Sequence, residues 1–273
     1  MERSLRIVVI SDVHLGTFGC QARELLNYLQ SIKPEILILN GDIIDGWQFN
    51  KKYFPPIHIQ VIYEIMKMAM QGTKVYYLSG NHDEFIRKFI PFYSGNIYFR
   101  DQLLLEMDGK RHFFFHGDAF DFSLQFSPFL AKIGGIGYDT LIRINTILNN
   151  VRFKLGLERI SFAHRIKSSL KQAINFIQNF EDAAAQYAHS RNADVVICGH
   201  IHIPRMKSID LVNKKLTYLN SGDWVENLTA LEYKDGAWSI YQYDEMEYQY
   251  LNRHLIFKEA PAKAFSEVMS LSL

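Results

Sequence analysis

The sequence predicts a layered α/β fold. Short β-branched apolar runs alternate with longer segments of helical period, as in chains built from βα units. The second half of the chain is richer in alternating, strand-like segments than the first. With 273 residues, of which 48% are hydrophobic, the chain can form one large domain or two small ones around a substantial core.

The first eighty residues predict three buried strands separated by two helices. The strands are LRIVVIS (5–11), EILILNG (35–41) and KVYYLSG (74–80). The helices are ARELLNYLQSI (22–32) and IQVIYEIMKMAMQG (59–72), the second of which ends at Gly72. This order of elements is that of successive βα units.

Further strands are predicted after residue 96. Residues 97–117 read as two strands around an Asp108-Gly109 turn, and ADVVICG (193–199) reads as another buried strand. Residues 205–244 alternate in strand fashion, with turns near Asn213-Lys214 and Asp235-Gly236. We therefore expect a sheet-rich second half.

Residues 120–190 differ from the rest because they carry long segments of helical period and no good strand. The part from Ser123 to Asn175 has eight Lys or Arg residues and two acidic ones, whereas the whole chain has a net charge of +1. Two interpretations stay open: an ordinary helical hairpin packed on the sheet, or a cap over a site, apolar inside and cationic at its rim. The predicted organisation is a core of residues 1–119 and 191–254, a helical cap insertion of residues 120–190, and a C-terminal tail of residues 255–273.

Composition narrows the function classes. The near-neutral charge argues against a nucleic-acid-binding protein, and two distant cysteines imply no disulfide framework and favour a reducing compartment. No stretch reaches the ~18 uninterrupted apolar residues of a membrane span, and the N-terminal apolar run is too short for a signal peptide. We expect a cytoplasmic protein, with attachment to a membrane surface left open.

Five short loops carry polar residues at the ends of buried apolar runs. They are SDVHLG (11–16), NGDIIDGW (40–47), GNHDE (80–84), FFFHGD (113–118) and ICGHIHIP (197–204), and they hold five of the ten histidines. In α/β sheets, ligands bind at the carboxyl ends of strands, where such loops converge. A single His at a strand end is usually structural. Five of them, alternating with Asp and Asn, predict a metal site.

The donor types indicate which metals and which reaction to expect. Oxygen and imidazole donors without a thiolate suit Mn, Fe, Zn or Co. The seven candidate ligands are enough for two ions if one carboxylate bridges: Asp12, His14, Asp42, Asn81, His116, His200 and His202. Two ions about 3.5–4 Å apart can clamp a phosphorus centre and lower the pKa of the water between them. The sequence therefore predicts hydrolysis of a phosphate ester or anhydride.

The motifs D-x-H, G-D-x-x-D, G-N-H-D, H-G-D and G-H-x-H, in this order, resemble those of the calcineurin-like metallophosphoesterases over roughly residues 5–225. The resemblance implies a two-layer β-sandwich flanked by helices, with a dinuclear centre at one edge. It assigns one metal to Asp12, His14, Asp42 and His202, and the other to Asp42, Asn81, His116 and His200. It also makes His82 a catalytic residue that is held by Asp45 and faces the substrate, where it stabilises the transition state or protonates the leaving oxygen. Asp83 is expected to cap the following turn.

The position of the insertion narrows the resemblance. A helical insertion directly after HGDAFD, a compact chain and the stretch LNSGDWVENLTALEY resemble the UDP-2,3-diacylglucosamine diphosphatases of lipid A synthesis. This resemblance implies a cap that accommodates acyl chains, a nucleotide-linked lipid substrate, and release of UMP and 2,3-diacylglucosamine 1-phosphate. Mn is the favoured metal among the four, and contact with the inner membrane surface stays open. The best-known branch of that group has Arg at the position of His82, and G-N-H-D is the general phosphoesterase form.

Candidate substrate-binding residues lie in or near the motif loops and on the basic insertion. They are Trp47, Arg143, Arg152, Lys154, Arg165, Asp223, Trp224 and Asn227, with Asn220 nearby. The basic residues equally fit a solvated helix face, and the tryptophans equally fit the core. Two other functions stay open: a hydrolase for a soluble nucleotide or other phosphoester, and a non-catalytic scaffold. A scaffold would require a gap in the ligand set, and the sequence has none.

Overall fold

The computed structural model describes residues 2–46, 53–123, 162–212 and 214–246. Three α-helices lie within these ranges: α1 (Ala22–Gln30), α2 (Pro56–Met70) and α3 (Phe162–Ser190). Short 3₁₀ helices span Glu84–Phe89 and Asp118–Ser123. None of the helices in these parts of the chain combines the length and apolar character needed to cross a bilayer.

The first sheet has seven strands. They are β1 (Arg3–Ile10), β2 (Ile32–Asn40), β3 (Lys74–Leu78), β4 (Phe92–Ser94), β5 (Ile97–Arg100), β11 (Thr229–Lys234) and β12 (Ala237–Gln242). Their order across the sheet is β12-β11-β1-β2-β3-β5-β4. The strands β1, β2, β3 and β5 are parallel neighbours. The carboxyl ends of these four strands therefore lie at one edge.

The second sheet has five strands. They are β6 (Leu103–Met107), β7 (Lys110–Phe114), β8 (Val195–Cys198), β9 (Arg205–Leu211) and β10 (Lys214–Asn220), in the order β6-β7-β8-β10-β9. Here β8 is parallel to β7 and to β10. The carboxyl ends of β7, β8 and β10 therefore lie at one edge of the second sheet.

Three apolar clusters hold the layers together. Ile7, Val9 and Ile38 from the first sheet pack with Phe114 and Ile197 from the second. A second cluster joins the outer face of the first sheet to α1 and α2, and a third joins the outer face of the second sheet to α3. The result is the two-layer β-sandwich flanked by helices that the family resemblance implied.

The observed elements match the predicted ones except for the unpredicted edge strand β4, which pairs with β5, and in two further places. Residues 97–117 contain three strands instead of two, because β5 pairs with β3 in the first sheet before the β6–β7 hairpin turns at Asp108-Gly109. The second difference concerns the insertion. In the later part of α3, Phe180, Ala184, Ala185 and Ala188 are buried against the second sheet. Part of the segment predicted as an insertion therefore packs in the core, and the bounds of the insertion stay a prediction.

The remaining organisation cannot be compared with the structure. Residues 124–161, which form most of the predicted cap, and the predicted tail of residues 255–273 lie outside the described residues. The cap over the site therefore stays a prediction.

Candidate metal centre

The five motif loops meet at one edge of the sandwich. The loops after β1, β2 and β3 of the first sheet carry Asp12, His14, Asp42, Asp45, Asn81 and His82. The loops after β7 and β8 of the second sheet carry His116, His200 and His202. The candidate ligands therefore come from both sheets and converge where the two layers adjoin.

The backbone at this edge adopts a conformation that L residues seldom use. Asp12, His14, Asp42, His200 and His202 have φ values of 52°, 55°, 54°, 70° and 56°. A left-handed conformation costs an L residue roughly 1–2 kcal/mol, and such residues concentrate at functional sites. The sharp turns direct five of the seven predicted ligands into a common space.

The side chains form groups that match the predicted pair of metal sites. Potential ligand atoms of Asp12, His14 and His202 all lie within 4.8 Å of one another, and so do those of Asp42, His116 and His200. A third group of this kind joins His14 to Asp45 and His82. The geometry thus brings together six of the seven predicted ligands and both predicted catalytic residues.

Two buried carboxylates of the site lie next to imidazole nitrogens, as they would beside bound cations. His116 Nε2 lies 3.2 Å from Asp42 Oδ2, and His202 Nε2 lies 3.2 Å from Asp12 Oδ1. Burial lowers the pKa of His116, but the charge and hydrogen bond of Asp42 raise it to about 10. Burial likewise lowers the pKa of His202, and Asp12 raises it to about 9. The buried carboxylates favour the protonated form of these imidazoles, and bound divalent cations would replace those protons while neutralising the same carboxylates.

Two further observations fit metal ions. Asn81 Oδ1 is buried and accepts no hydrogen bond from any of the described residues. An unsatisfied buried oxygen costs about 1–3 kcal/mol, and coordination to a cation would remove that cost. His116 Nδ1 lies 2.8 Å from the Asn40 carbonyl oxygen, which can only accept, so the ring donates there and presents Nε2 toward Asp42. The residues therefore fit two divalent cations.

Motif glycines allow the loops to approach each other. A Cβ at Gly80 would overlap Asp42 Oδ1, and a Cβ at Gly199 would lie 2.6 Å from Asp12 Oδ2. Real Cβ atoms do not come so close to a neighbouring oxygen. Glycine is thus required at these positions because the ligand carboxylates lie directly against the backbone.

Gly80→Ala is expected to displace the Asp42 carboxylate and to abolish most of the metal binding. Metal content after loading with Mn²⁺, measured by inductively coupled plasma mass spectrometry, checks this. Gly95→Ala is a suitable control, because a Cβ there meets no atom within 4 Å. Its φ of 55° should cost about 1 kcal/mol of stability without loss of metal. Full metal loading of Gly80→Ala would contradict the proposed role of the close approach.

Asp45 contacts both a candidate ligand and the candidate catalytic residue. Its Oδ2 atom lies 2.9 Å from His82 Nδ1, the neighbour that the family resemblance implied, and 3.2 Å from His14 Nδ1. The rings of His14 and His82 meet edge to face at 4.7 Å. The Asp45 side chain is 1% exposed, whereas that of His82 is 20% exposed. Asp45 can therefore orient His82 while the rest of that ring reaches the solvent side of the site.

Asp83 directly precedes the 3₁₀ helix Glu84–Phe89, but its side chain makes no capping hydrogen bond there, so the predicted cap of this turn is wrong. Its Oδ1 accepts the backbone N–H of Gly80 at 2.6 Å, and its Oδ2 accepts the N–H of Ile43 at 2.9 Å and the hydroxyl of Tyr77 at 2.6 Å. The side chain therefore ties the G-N-H-D loop to the G-D-x-x-D loop.

Several predicted substrate-binding residues support the loops instead. Trp224 is fully buried and packs against Tyr28 at 5.3 Å between ring centroids, so the prediction that it lines the pocket is wrong. The Asp223 side chain is also fully buried, and Oδ1 accepts the backbone N–H groups of Val225, Glu226 and Asn227. Asp223 therefore holds the turn that follows β10.

Asn227 and Asn220 hold the last motif loop. Asn227 Nδ2 donates to the His202 carbonyl oxygen at 2.8 Å, and Asn220 Nδ2 donates to the Gly199 carbonyl oxygen at 2.8 Å. Both side chains therefore orient the backbone that carries His200 and His202. The other candidates, Trp47, Arg143, Arg152 and Lys154 and the side chain of Arg165, lie outside the described residues and stay predictions.

Sequence reasoning missed two residues that position the site. Arg87 Nη2 lies 2.6 Å from Asp118 Oδ2, and its Nε lies 3.1 Å from Asp101 Oδ1. This connects the 3₁₀ helix after His82 to the H-G-D loop. The other residue is Phe180, whose ring lies 6.0 Å from that of His200. Neither residue belongs to a motif. The one sequence signal for Arg87 is that a basic residue stands four positions after the G-N-H-D motif.

Phe180→Ala is expected to lower the free energy of unfolding by about 3–5 kcal/mol, the usual cost of removing a buried aromatic ring. Phe180 is 2% exposed, and a Cβ on Gly117 would lie 2.6 Å from its ring. Urea unfolding checks the prediction. Phe18→Ala, at a side chain that is 81% exposed, is the control and should change stability by less than about 0.5 kcal/mol. Equal stabilities of the two variants would contradict the prediction.

Comparison with known proteins agrees with this geometry. The profile of the Calcineurin-like phosphoesterase family matches residues 5–204. The chain belongs to this family. As a calcineurin-like phosphoesterase it is a metal-dependent phosphoester hydrolase. Its candidate ligand groups lie within the matched residues, in the loops that follow the strands.

Two curated relatives align with this phosphoesterase over most of its length. A protein of Aliivibrio fischeri (strain MJ11) is 22% identical over 248 residues, which cover 87% of this chain and 98% of the relative. A protein of Vibrio cholerae serotype O1 (strain ATCC 39315 / El Tor Inaba N16961) is 24% identical over 234 residues, covering 84% and 95%. Both are named UDP-2,3-diacylglucosamine hydrolase. A solved archaeal phosphodiesterase is 14% identical with a TM-score of 0.39, over 86% of this chain and 98% of the other.

Proposed function

We propose that the chain hydrolyses the diphosphate of UDP-2,3-diacylglucosamine to UMP and 2,3-diacylglucosamine 1-phosphate. The observation that carries the proposal is the alignment, over more than four-fifths of the chain, with hydrolases of that name. Their alignments extend well past residue 204, so the similarity includes the chain after the last motif. The convergence of the candidate ligands with His82 supports the chemistry.

In this proposal two divalent ions, with Mn favoured, bind at the edge of the sandwich. Asp12, His14, Asp42 and His202 would hold one ion, and Asp42, Asn81, His116 and His200 the other. A bound pair of this kind lowers the pKa of a water molecule and neutralises phosphate charge. The Asn40 carbonyl fixes the ring orientation of His116, and Asn227 holds the backbone of His202.

His82 acts on the leaving group in this proposal. Its Nδ1 atom faces Asp45 Oδ2 at 2.9 Å, so the carboxylate orients the ring and leaves Nε2 to donate a proton to the departing phosphate oxygen. The backbone N–H of His82 donates to Asp42 Oδ1 at 2.8 Å. The position of the ring is therefore fixed relative to the proposed bridging ligand.

A product assay tests the substrate. Mn²⁺-loaded protein receives UDP-2,3-diacylglucosamine in detergent, and mass spectrometry follows the release of UMP, with a chromogenic phosphodiester in a parallel reaction. Rapid UMP release with little turnover of the chromogenic compound is expected. Turnover of the chromogenic compound without UMP release would reject the lipid substrate while retaining the hydrolase.

The second candidate is hydrolysis of a soluble nucleotide or other phosphoester. The observation in its favour is His82 itself, since G-N-H-D is the general phosphoesterase motif. It predicts turnover of soluble phosphodiesters without detergent.

The lipid substrate of the first proposal leads us to propose a cytoplasmic protein that contacts the membrane surface. Fractionation of cells into soluble and membrane parts would test this location.

A further inference from the structure

The helix α2 has an apolar outer face in addition to the face that it buries. Its buried residues Val61, Ile65, Met68 and Ala69 pack against the first sheet. On the opposite side four large apolar side chains are exposed: Ile59 by 43%, Tyr63 by 59%, Met66 by 51% and Met70 by 76%. A surface helix normally presents polar and charged residues on its outer face. We call these four residues the α2 stripe.

The α2 stripe has the spacing of a helix–helix contact. Its members are separated by four, three and four residues, the intervals at which one side of a helix meets a second helix. The helix has 15 residues and is therefore about 22 Å long, so the stripe extends over most of its length.

No net charge lies along the stripe. The other exposed residues of α2 are Pro56 and Gln60. The ammonium of Lys67, at the border of the stripe, lies 2.9 Å from the Glu64 carboxylate on the same helix. A face without cations does not suit an anionic bilayer, for which Lys and Arg are typical. It suits a protein surface that is equally neutral.

The sequence of the stripe is complementary to itself. If two copies of α2 pack antiparallel about a two-fold axis midway between residues 64 and 65, Tyr63 of one copy faces Met66 of the other. The same axis places Ile59 opposite Met70. Both pairs join a long flexible side chain to a β-branched or aromatic one, and methionine sulfur contacts aromatic rings favourably. A two-fold contact requires this kind of self-complementary patch.

We propose that the α2 stripe is the contact surface between two copies of this chain. The net charge of +1 creates little repulsion between copies. Phe92 on edge strand β4 is also 50% exposed, and its ring contacts that of Phe99, which packs with the cluster under α2.

Sedimentation equilibrium of the full chain tests the proposal over 1–100 µM protein. The wild type is expected to form a dimer, and the double variant Tyr63→Glu, Met66→Glu should raise its dissociation constant about 30-fold or more, because it places two carboxylates on each side of the two-fold axis. Val212→Glu, at a residue that is 99% exposed and far from α2 in sequence, is the matched control and should dimerise like the wild type.

A cross-linking variant tests the orientation independently. Ile59→Cys, Met70→Cys should give a covalent dimer on mild oxidation, whereas the wild type, with Cys20 and the buried Cys198, should not. Thermal unfolding of all variants establishes that they are folded. A wild type that is monomeric at 100 µM, or a dimer whose dissociation constant is the same in the Tyr63→Glu, Met66→Glu variant, would overturn the proposal.

Discussion

His82→Ala is expected to reduce kcat by about 10²–10⁴-fold, the usual contribution of a positioned general acid or base. Metal content should stay the same, because the ring of His82 is not among the proposed ligands and its backbone N–H, which donates to Asp42, is retained. Turnover of a chromogenic phosphodiester and metal content by mass spectrometry are measured on the same preparation.

The control for this variant is His189→Ala. His189 is exposed near the end of α3, so its replacement should leave both turnover and metal content unchanged. Asp45→Asn adds a second test, because it keeps the size of the side chain that faces His82 and removes its charge. We expect it to lower kcat as well. Unchanged turnover in His82→Ala would remove the proposed role of His82.

Asp42→Ala is expected to have the largest effect, with loss of bound metal and of all measurable turnover. Asp42 lies in the group with His116 and His200, and one of its oxygens accepts the N–H of His82. As the proposed bridging ligand it would contact both ions. Its loss should therefore empty both sites, whereas His116→Ala should affect one site more than the other.

Metal titration by calorimetry separates these outcomes. Two binding events are expected in the wild type and none of comparable affinity in Asp42→Ala. Asp210→Ala is the matched control, because Asp210 is an exposed carboxylate that lies 3.6 Å from Lys215 on the surface. If Asp42→Ala still bound two ions with wild-type affinity, the bridging assignment would be wrong.

The positions of the candidate ligands could be predicted because two simple patterns coincide. Buried β-branched runs define strands, and the first polar residues after them define the loops at the strand ends. Asp12 and Asp42 follow β1 and β2, which are parallel neighbours, so both residues lie at the same edge of the first sheet. His200 follows β8, which is likewise parallel to its neighbour β10 in the second sheet.

Other features depend on tertiary contacts that no local pattern contains. Trp224 lies in a motif-like loop, but its ring packs beside Tyr28 in the buried core cluster. The end of α3 has a helical period like the rest of the insertion, and its alanines allow it to pack closely on the second sheet. The contact of Asp45 with two imidazoles requires the turns after β1, β2 and β3 to be known in three dimensions.

The origin of the ligands from both sheets has a thermodynamic consequence. Asp12 and His200 are 188 residues apart in the chain, and a cation held between their loops would act as a cross-link between the two layers. Any ligand that binds the folded state alone adds RT ln(1 + [L]/Kd) to the free energy of unfolding. The melting temperature should therefore rise with free metal concentration. In a metal-starved cell the same linkage would increase the unfolded fraction, so that proteases would remove the inactive chain.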